Sequence, residues 1–403
     1  MAMLSETSCK AIIVTPAYRL NLFGFLASSE LCDAGGDFAT NVGFWDQRLA
    51  LEWTWQNISY FDGDSSNITI GGYSAGAHST FHQLAYDLSV PDSKSIVRRA
   101  LMLSNGPGMQ PKTLDEAQTQ FEELLGALHI PLDLPAAEKI TRIRSLDAKI
   151  LIKSSTDLKY HQFRAVTDGS FVRHGLFNEI DTGGFARQMV RKGIKLIIGE
   201  CSDEHFVYGT WRPPTDSFDS LFRRLQADYS LSACEALANY YYPDRKLPKG
   251  CANWQDAFGR IYADVQIHHL ERGMVGALVR HGAGDLIYRY RTEWRAQCCD
   301  KGWPKEWGVT HGTDMTSIWF WGNGEQLSKR EKKMVKSAFH DNFAKFLKGE
   351  DMEWGTQHPL HIRRMTPDGS VVCEEDPHME EGVRVWNVLK KVGATGVQRN
   401  AKL

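Results

Sequence analysis

The run ITIGGYSAGA at 68–77 constrains the fold more than any other stretch of this chain. Its first three residues are β-branched and predict a buried strand, while 77–88 carries apolar residues at helical spacing. Strand must therefore become helix within a few residues, across a turn that tolerates only small neighbours. Gly72 and Gly76 meet that need, and Ser74 between them stands clear of the backbone. A serine at the head of a helix also sits where amide groups and the helix dipole favour developing negative charge. The G-x-S-x-G pattern is weak alone. Its strand-before, helix-after context makes Ser74 a candidate nucleophile.

Further short apolar runs predict strands at 11–18 (AIIVTPAY), 99–104 (RALMLS), 195–199 (KLIIG) and 285–291 (DLIYRYR). Between them, helical patterns occupy about 44–61, 113–160, 216–282 and 328–349. Strands alternating with helices predict an α/β class, with a mostly parallel central sheet flanked by helices. Residues 1–390 read as one domain with helical insertions around 113–160 and 216–282, and 391–403 as a frayed tail.

Composition removes several functional classes. The 403 residues are 42% hydrophobic, enough for a sizeable core. Lys and Arg total 47 against 49 Asp and Glu, so no net field draws the chain to nucleic acid or an anionic membrane. No apolar run approaches the roughly 20 residues that span a bilayer. The eight cysteines (Cys9, Cys32, Cys201, Cys234, Cys251, Cys298, Cys299, Cys373) form no CxxC and read as free, mostly buried thiols. No metal or cofactor is implied. Met1 to Lys10 show no apolar leader. Of two glycosylation-type sequons, Asn57 and Asn67, the second runs straight into a strand and reads as a strand-edge residue.

A hydroxyl needs a base to become a nucleophile, and the base needs a carboxylate to orient it. Among 14 histidines, His311 lies in GVTHGTD (308–314), a glycine-flanked loop that lets an imidazole swing over a serine. Glu204 lies in IIGECSDEHF (197–206), directly after a buried strand, with Asp203 beside it as a competitor. Periodicity leaves the choice between the two carboxylates open.

The stretches VTPAYRLNLFGFL (14–26) and NVGFWDQRLALEWTWQNISYFDGDSSNITIGGYSAGA (41–77) resemble the signature region of type-B carboxylesterases and cholinesterases. RRALMLSNG (98–106), VTDGSF (166–171), LIIGECSDE (196–204), LIYRYR (286–291), HGTD (311–314) and NFAKF (342–346) follow in the family's order. The resemblance runs from about Ala11 to Leu389. It implies an α/β-hydrolase fold and hydrolysis of small-molecule carboxylic esters. It further implies Ser74 as nucleophile, Glu204 as acid, His311 as base and the Ala75 amide as an oxyanion donor. Ser104 matches a serine that supports the acid's hydrogen-bond network.

There are departures from the family pattern. Tyr73 precedes the serine where many members carry Glu, and His205 follows Glu204 where Gly is usual; we read His205 as a solvent-facing loop residue. No HGG turn, the family's further source of oxyanion amides, occurs in the chain. The resemblance thus implies a chain whose N-terminal strands are missing, a piece of a longer esterase. Losing one oxyanion donor costs roughly 10²- to 10³-fold in rate. Leaving sheet edges unpaired costs about 1–3 kcal/mol per buried unsatisfied group, against a domain stability of about 5–15 kcal/mol. Weak or absent activity is one consequence. The alternative is a catalytically silent interaction protein, although relatives of that kind characteristically lose triad residues.

Overall fold

The computed structural model describes residues 7, 9–34, 38–319 and 327–396. Six strands form one sheet in sequential order: β1 (Ile68–Tyr73), β2 (Val97–Leu103), β3 (Lys195–Cys201), β4 (Ile287–Thr292), β5 (His361–Met365) and β6 (Val371–Glu375). The first five run parallel and β6 returns antiparallel to β5. The predicted mostly parallel sheet is therefore present.

Both faces of the inner strands are buried, which is why β2 and β3 read as continuous apolar runs rather than alternating ones. Ala100, Met102, Leu196 and Ile198 join a core built with Ala75–Ser89, Gly184–Lys192, His269–Arg280 and Met379–Lys390. Leu101, Leu103, Ile197 and Tyr290 face a second core with Phe339, Phe343 and Phe346. The period of two along each strand decides which residue enters which core.

Two sequence expectations need correction, on the segment 11–18 and on the tail. Residues 11–18 form no strand and are almost wholly exposed, with Ile12 at 49%. A strand persists only with a partner ladder, and none pairs with this segment or with the outer edge of β1 among the described residues. The predicted helical stretch 113–160 divides into three helices: Leu114–Ala127, Ala136–Ser145 and Ala148–Thr156. Pro131 and Pro135 lie in the first break, and the Asp147 side chain caps the third helix by accepting from the Lys149 amide. The hairpin β5–β6 went unpredicted. The tail begins later than 391, because Ala394 and Thr395 are buried and the Gln110 amide donates to the Ala394 carbonyl; 397–403 lie outside the described residues. All eight cysteines are free, and five are buried. No helix among the described residues is long and apolar enough to cross a membrane.

Candidate active site

Ser74 caps the helix Ala75–Ser89 with φ 54° and ψ −122°, a strained conformation outside the normal regions for a side-chain-bearing residue. Its amide donates to the Leu103 carbonyl at 2.9 Å, which ties the elbow to β2. A Cβ on Gly72 would lie 2.2 Å from the Gly76 carbonyl carbon and oxygen, so the turn closes only over a glycine there. Gly76 itself faces open space, and the expected steric need applies to one of the two glycines.

His311 and Glu204 arrive from loops beyond β4 and β3. The Nε2 of His311 lies 2.9 Å from Ser74 Oγ, and its Nδ1 lies 2.6 Å from Glu204 Oε2. Glu204 is fully buried and His311 is 8% exposed, so little water competes for these bonds. The second carboxylate oxygen of Glu204 accepts the Cys201 amide at 2.9 Å, which fixes its rotation. Asp203, the competing carboxylate, makes no bond to the imidazole. It pins the histidine loop instead: its amide donates to the Val309 carbonyl at 3.0 Å, and its Oδ2 accepts the Val309 amide at 2.9 Å. Gly308 beside it, at φ +54°, leaves no room for a side chain against that carboxylate.

The end of β3 is held as firmly. Glu200 is fully buried and gripped by both Nη atoms of Arg272, at 2.7 and 2.9 Å, by Arg291, and by His268 Nδ1 at 2.5 Å. Breaking a buried pair of this kind costs about 3–5 kcal/mol. The acid therefore projects from an anchored strand end.

Aromatic rings wall the imidazole. Tyr73 stacks on His311 with ring centroids 4.8 Å apart, and the Tyr208 ring approaches it at 5.0 Å. Burial, reinforced by Asp314, keeps the Tyr73 phenol neutral. The residue before the nucleophile thus brings an apolar face where a carboxylate would bring charge. Ala75 is exposed at the first helical position, where amides have no intrahelical acceptor.

Two readings change. Ser104 does not reach Glu204; its hydroxyl lies 3.4 Å from Asp314 Oδ2 and 4.0 Å from Cys201 Sγ. His205 is half-buried rather than solvent-facing, since it opens the short helix His205–Tyr208 and packs on Phe206 at 4.1 Å.

Asp314 escaped the sequence analysis although it ends the HGTD motif. It is fully buried, and accepts from Tyr290 Oη at 3.2 Å and from the Met315 amide at 2.8 Å. Burial, then the nearby Glu204, raises its pKa to about 6 from 3.8. A raised carboxyl pKa means that the fold prefers the protonated form. Its contribution is complete below pH 3.8 and is lost as pH climbs through about 6, a change on the order of 3 kcal/mol. Asp314→Asn should therefore gain Tm relative to the parent protein between pH 4 and pH 7. A Tm difference that stays flat across that range contradicts the assignment.

A serine on a strand-to-helix elbow, an imidazole at hydrogen-bonding distance and a buried carboxylate behind it form the arrangement of a serine hydrolase built on an α/β sheet. The model of the carboxylesterase family matches residues 2–389. A carboxylic ester hydrolase of Gibberella moniliformis is 42% identical over the whole chain, which spans 74% of that protein. An uncharacterized esterase/lipase of Schizosaccharomyces pombe is 37% identical over 95% of this chain and 71% of its own length. Among solved structures, Aspergillus niger EstA superposes with a TM-score of 0.69 at 22% identity, over 93% of this chain and 73% of EstA. The chain belongs to the carboxylesterase family, the carboxylic ester hydrolases of the α/β-hydrolase fold.

Proposed function

We propose that this chain hydrolyses small-molecule carboxylic esters through an acyl-enzyme on Ser74. The observation that carries the reading is the hydrogen-bonded line from Ser74 Oγ to His311 Nε2 (2.9 Å) and from His311 Nδ1 to Glu204 Oε2 (2.6 Å). Glu204 holds the proton of the neutral imidazole on Nδ1, which leaves the Nε2 lone pair facing the serine hydroxyl.

His311 takes the Ser74 proton as Oγ attacks the ester carbonyl. The carbonyl oxygen gains the charge and lies against the Ala75 amide, with the helix dipole behind it. The tetrahedral carbon then expels the alcohol, which takes the proton from His311 Nε2, and the acyl group remains on Ser74. Water enters and gives a proton to His311, and its oxygen attacks the acyl carbon. Collapse releases the acid and returns the proton to Ser74. Glu204, bonded to Nδ1, stabilises the imidazolium as it forms.

Stopped-flow mixing with 4-nitrophenyl acetate tests this reading. An acyl-enzyme that forms faster than it hydrolyses releases a burst of 4-nitrophenol approaching one equivalent per chain. Release no faster than in buffer alone would sink the proposal.

A further inference from the structure

Two hydrogen bonds hold the His311 imidazole at its nitrogens, to Ser74 Oγ at 2.9 Å and to Glu204 Oε2 at 2.6 Å. They fix the line joining the two nitrogens, and the plane of the ring about that line is set by what packs on its faces. Tyr73 packs there, its ring stacked on the imidazole at an interplanar angle of 30°. It is the last residue of β1, in register with Leu103 of β2, so it belongs to the sheet and not to a loop. Its side chain also leans on the core that holds Leu103 and Tyr290. The phenol end reaches over the histidine loop: a Cβ on Gly312, at φ +97°, would lie 3.5 Å from Tyr73 Oη and 3.0 Å from Trp303 Cζ2. Glycine after the histidine is thus what lets the loop settle this close to the two rings.

The hydroxyl of Tyr73 is buried and has no hydrogen-bond partner among the described residues. What position 73 brings to the site is therefore the aromatic face. That face carries the negative part of the ring quadrupole, and it attracts a cation lying within about 6 Å of the centroid. The imidazole, 4.8 Å away, becomes such a cation each time it accepts a proton. Other groups also face it: the Ser74 hydroxyl, the Glu204 carboxylate, the Tyr208 ring at 5.0 Å and, from its own loop, the Asp314 carboxyl. Burial, then Asp314 and Glu204, keeps the Tyr73 phenol neutral, so its ring never adds a charge of its own.

We propose that Tyr73 is a positioning residue for ester hydrolysis, its ring setting the plane of the His311 imidazole and stabilising the imidazolium that forms there. The inference rests on His311 serving as the base for Ser74. The ring contributes most while the imidazole is charged, in the formation and collapse of each tetrahedral intermediate. It therefore lowers the barrier more than it strengthens substrate binding. Loss of the ring should appear in kcat and leave KM little changed.

The test removes the ring, restores it, and then reverses its face. Tyr73→Leu should lower kcat for 4-nitrophenyl acetate by about tenfold, and Tyr73→Phe should restore most of it. Pentafluorophenylalanine at position 73 keeps the outline of phenylalanine but reverses the polarity of the face, so kcat should again fall by about tenfold. The acid limb of its kcat profile should move to lower pH by about one unit relative to Tyr73→Phe, because the charged imidazole has lost its support. Loosened packing alone acts in the opposite direction: water beside the imidazole favours the charged form and moves the limb to higher pH. In a Ser74→Ala background, proton NMR follows the His311 titration without catalysis, its resonance identified by its absence in His311→Gln. The midpoint should fall by about one unit on going from phenylalanine to the fluorinated ring. That fall, found beside a parent protein that cleaves no ester, supports the ring contact and counts against the hydrolase reading only. Measurable and equal kcat with the two rings, or a midpoint that stays or rises with the fluorinated one, overturns the proposal.

Discussion

Ser74→Ala should lower kcat for a neutral ester such as 4-nitrophenyl acetate by about 10⁵- to 10⁶-fold, leaving only what the rest of the site contributes. His311→Ala should cost a similar factor. The double variant should be no worse than either single one, because Ser74 Oγ and His311 Nε2, 2.9 Å apart, act as one unit. A stability loss cannot imitate this pattern. Ser74 is a partly exposed elbow residue, and truncating its hydroxyl removes no core contact. Comparison of the three variants at equal concentration, with circular dichroism to confirm folding, checks the expectation. Multiplicative losses in the double variant would mean that the two residues contribute independently.

Glu204→Gln should lower kcat by about 10⁴-fold with little change in fold. The surrounding bonds dictate the sign. The Cys201 amide donates to one carboxylate oxygen of Glu204 at 2.9 Å, so a glutamine must turn its own oxygen toward that amide. Its NH₂ group then faces His311 Nδ1 and donates to it. The imidazole proton is driven onto Nε2, which can no longer accept from Ser74. Asp203 cannot substitute, since its carboxylate is held by the Val309 amide. Retention of most of the activity in Glu204→Gln would show that the tautomer is set by something other than this carboxylate.

Much of this site was legible in the sequence because its residues sit at points where local chemistry has few solutions. The turn after β1 needed glycine at 72 and put a serine at the head of a helix. The inner strands β2 and β3, buried on both faces, announced themselves as apolar runs. The choice of Glu204 over Asp203 came from family resemblance alone, because both follow the same strand and only the Cys201 and Val309 amides separate their roles. The hairpin β5–β6 was illegible because HIRRM places arginines where a buried strand ordinarily carries aliphatic residues. Arg363 is 8% exposed, with its guanidinium over Trp354 and bonded to the Ala338 and Trp354 carbonyls, and no periodicity encodes such a partner. The segment 11–18 misled for the opposite reason. Its β-branched residues have strand propensity, but a ladder needs a neighbour, and propensity is blind to that. The meaning of Asp314 lies in its burial and in the charges around it, and neither is a property of spacing.

The most direct test is to treat the protein with a fluorophosphonate and map the adduct by peptide mass. A single phosphonyl group on Ser74 is expected in the parent protein, none in Ser74→Ala, and a strongly slowed adduct at the same residue in His311→Ala. Folded parent protein that takes no label, or takes it at a residue other than Ser74, would contradict the account.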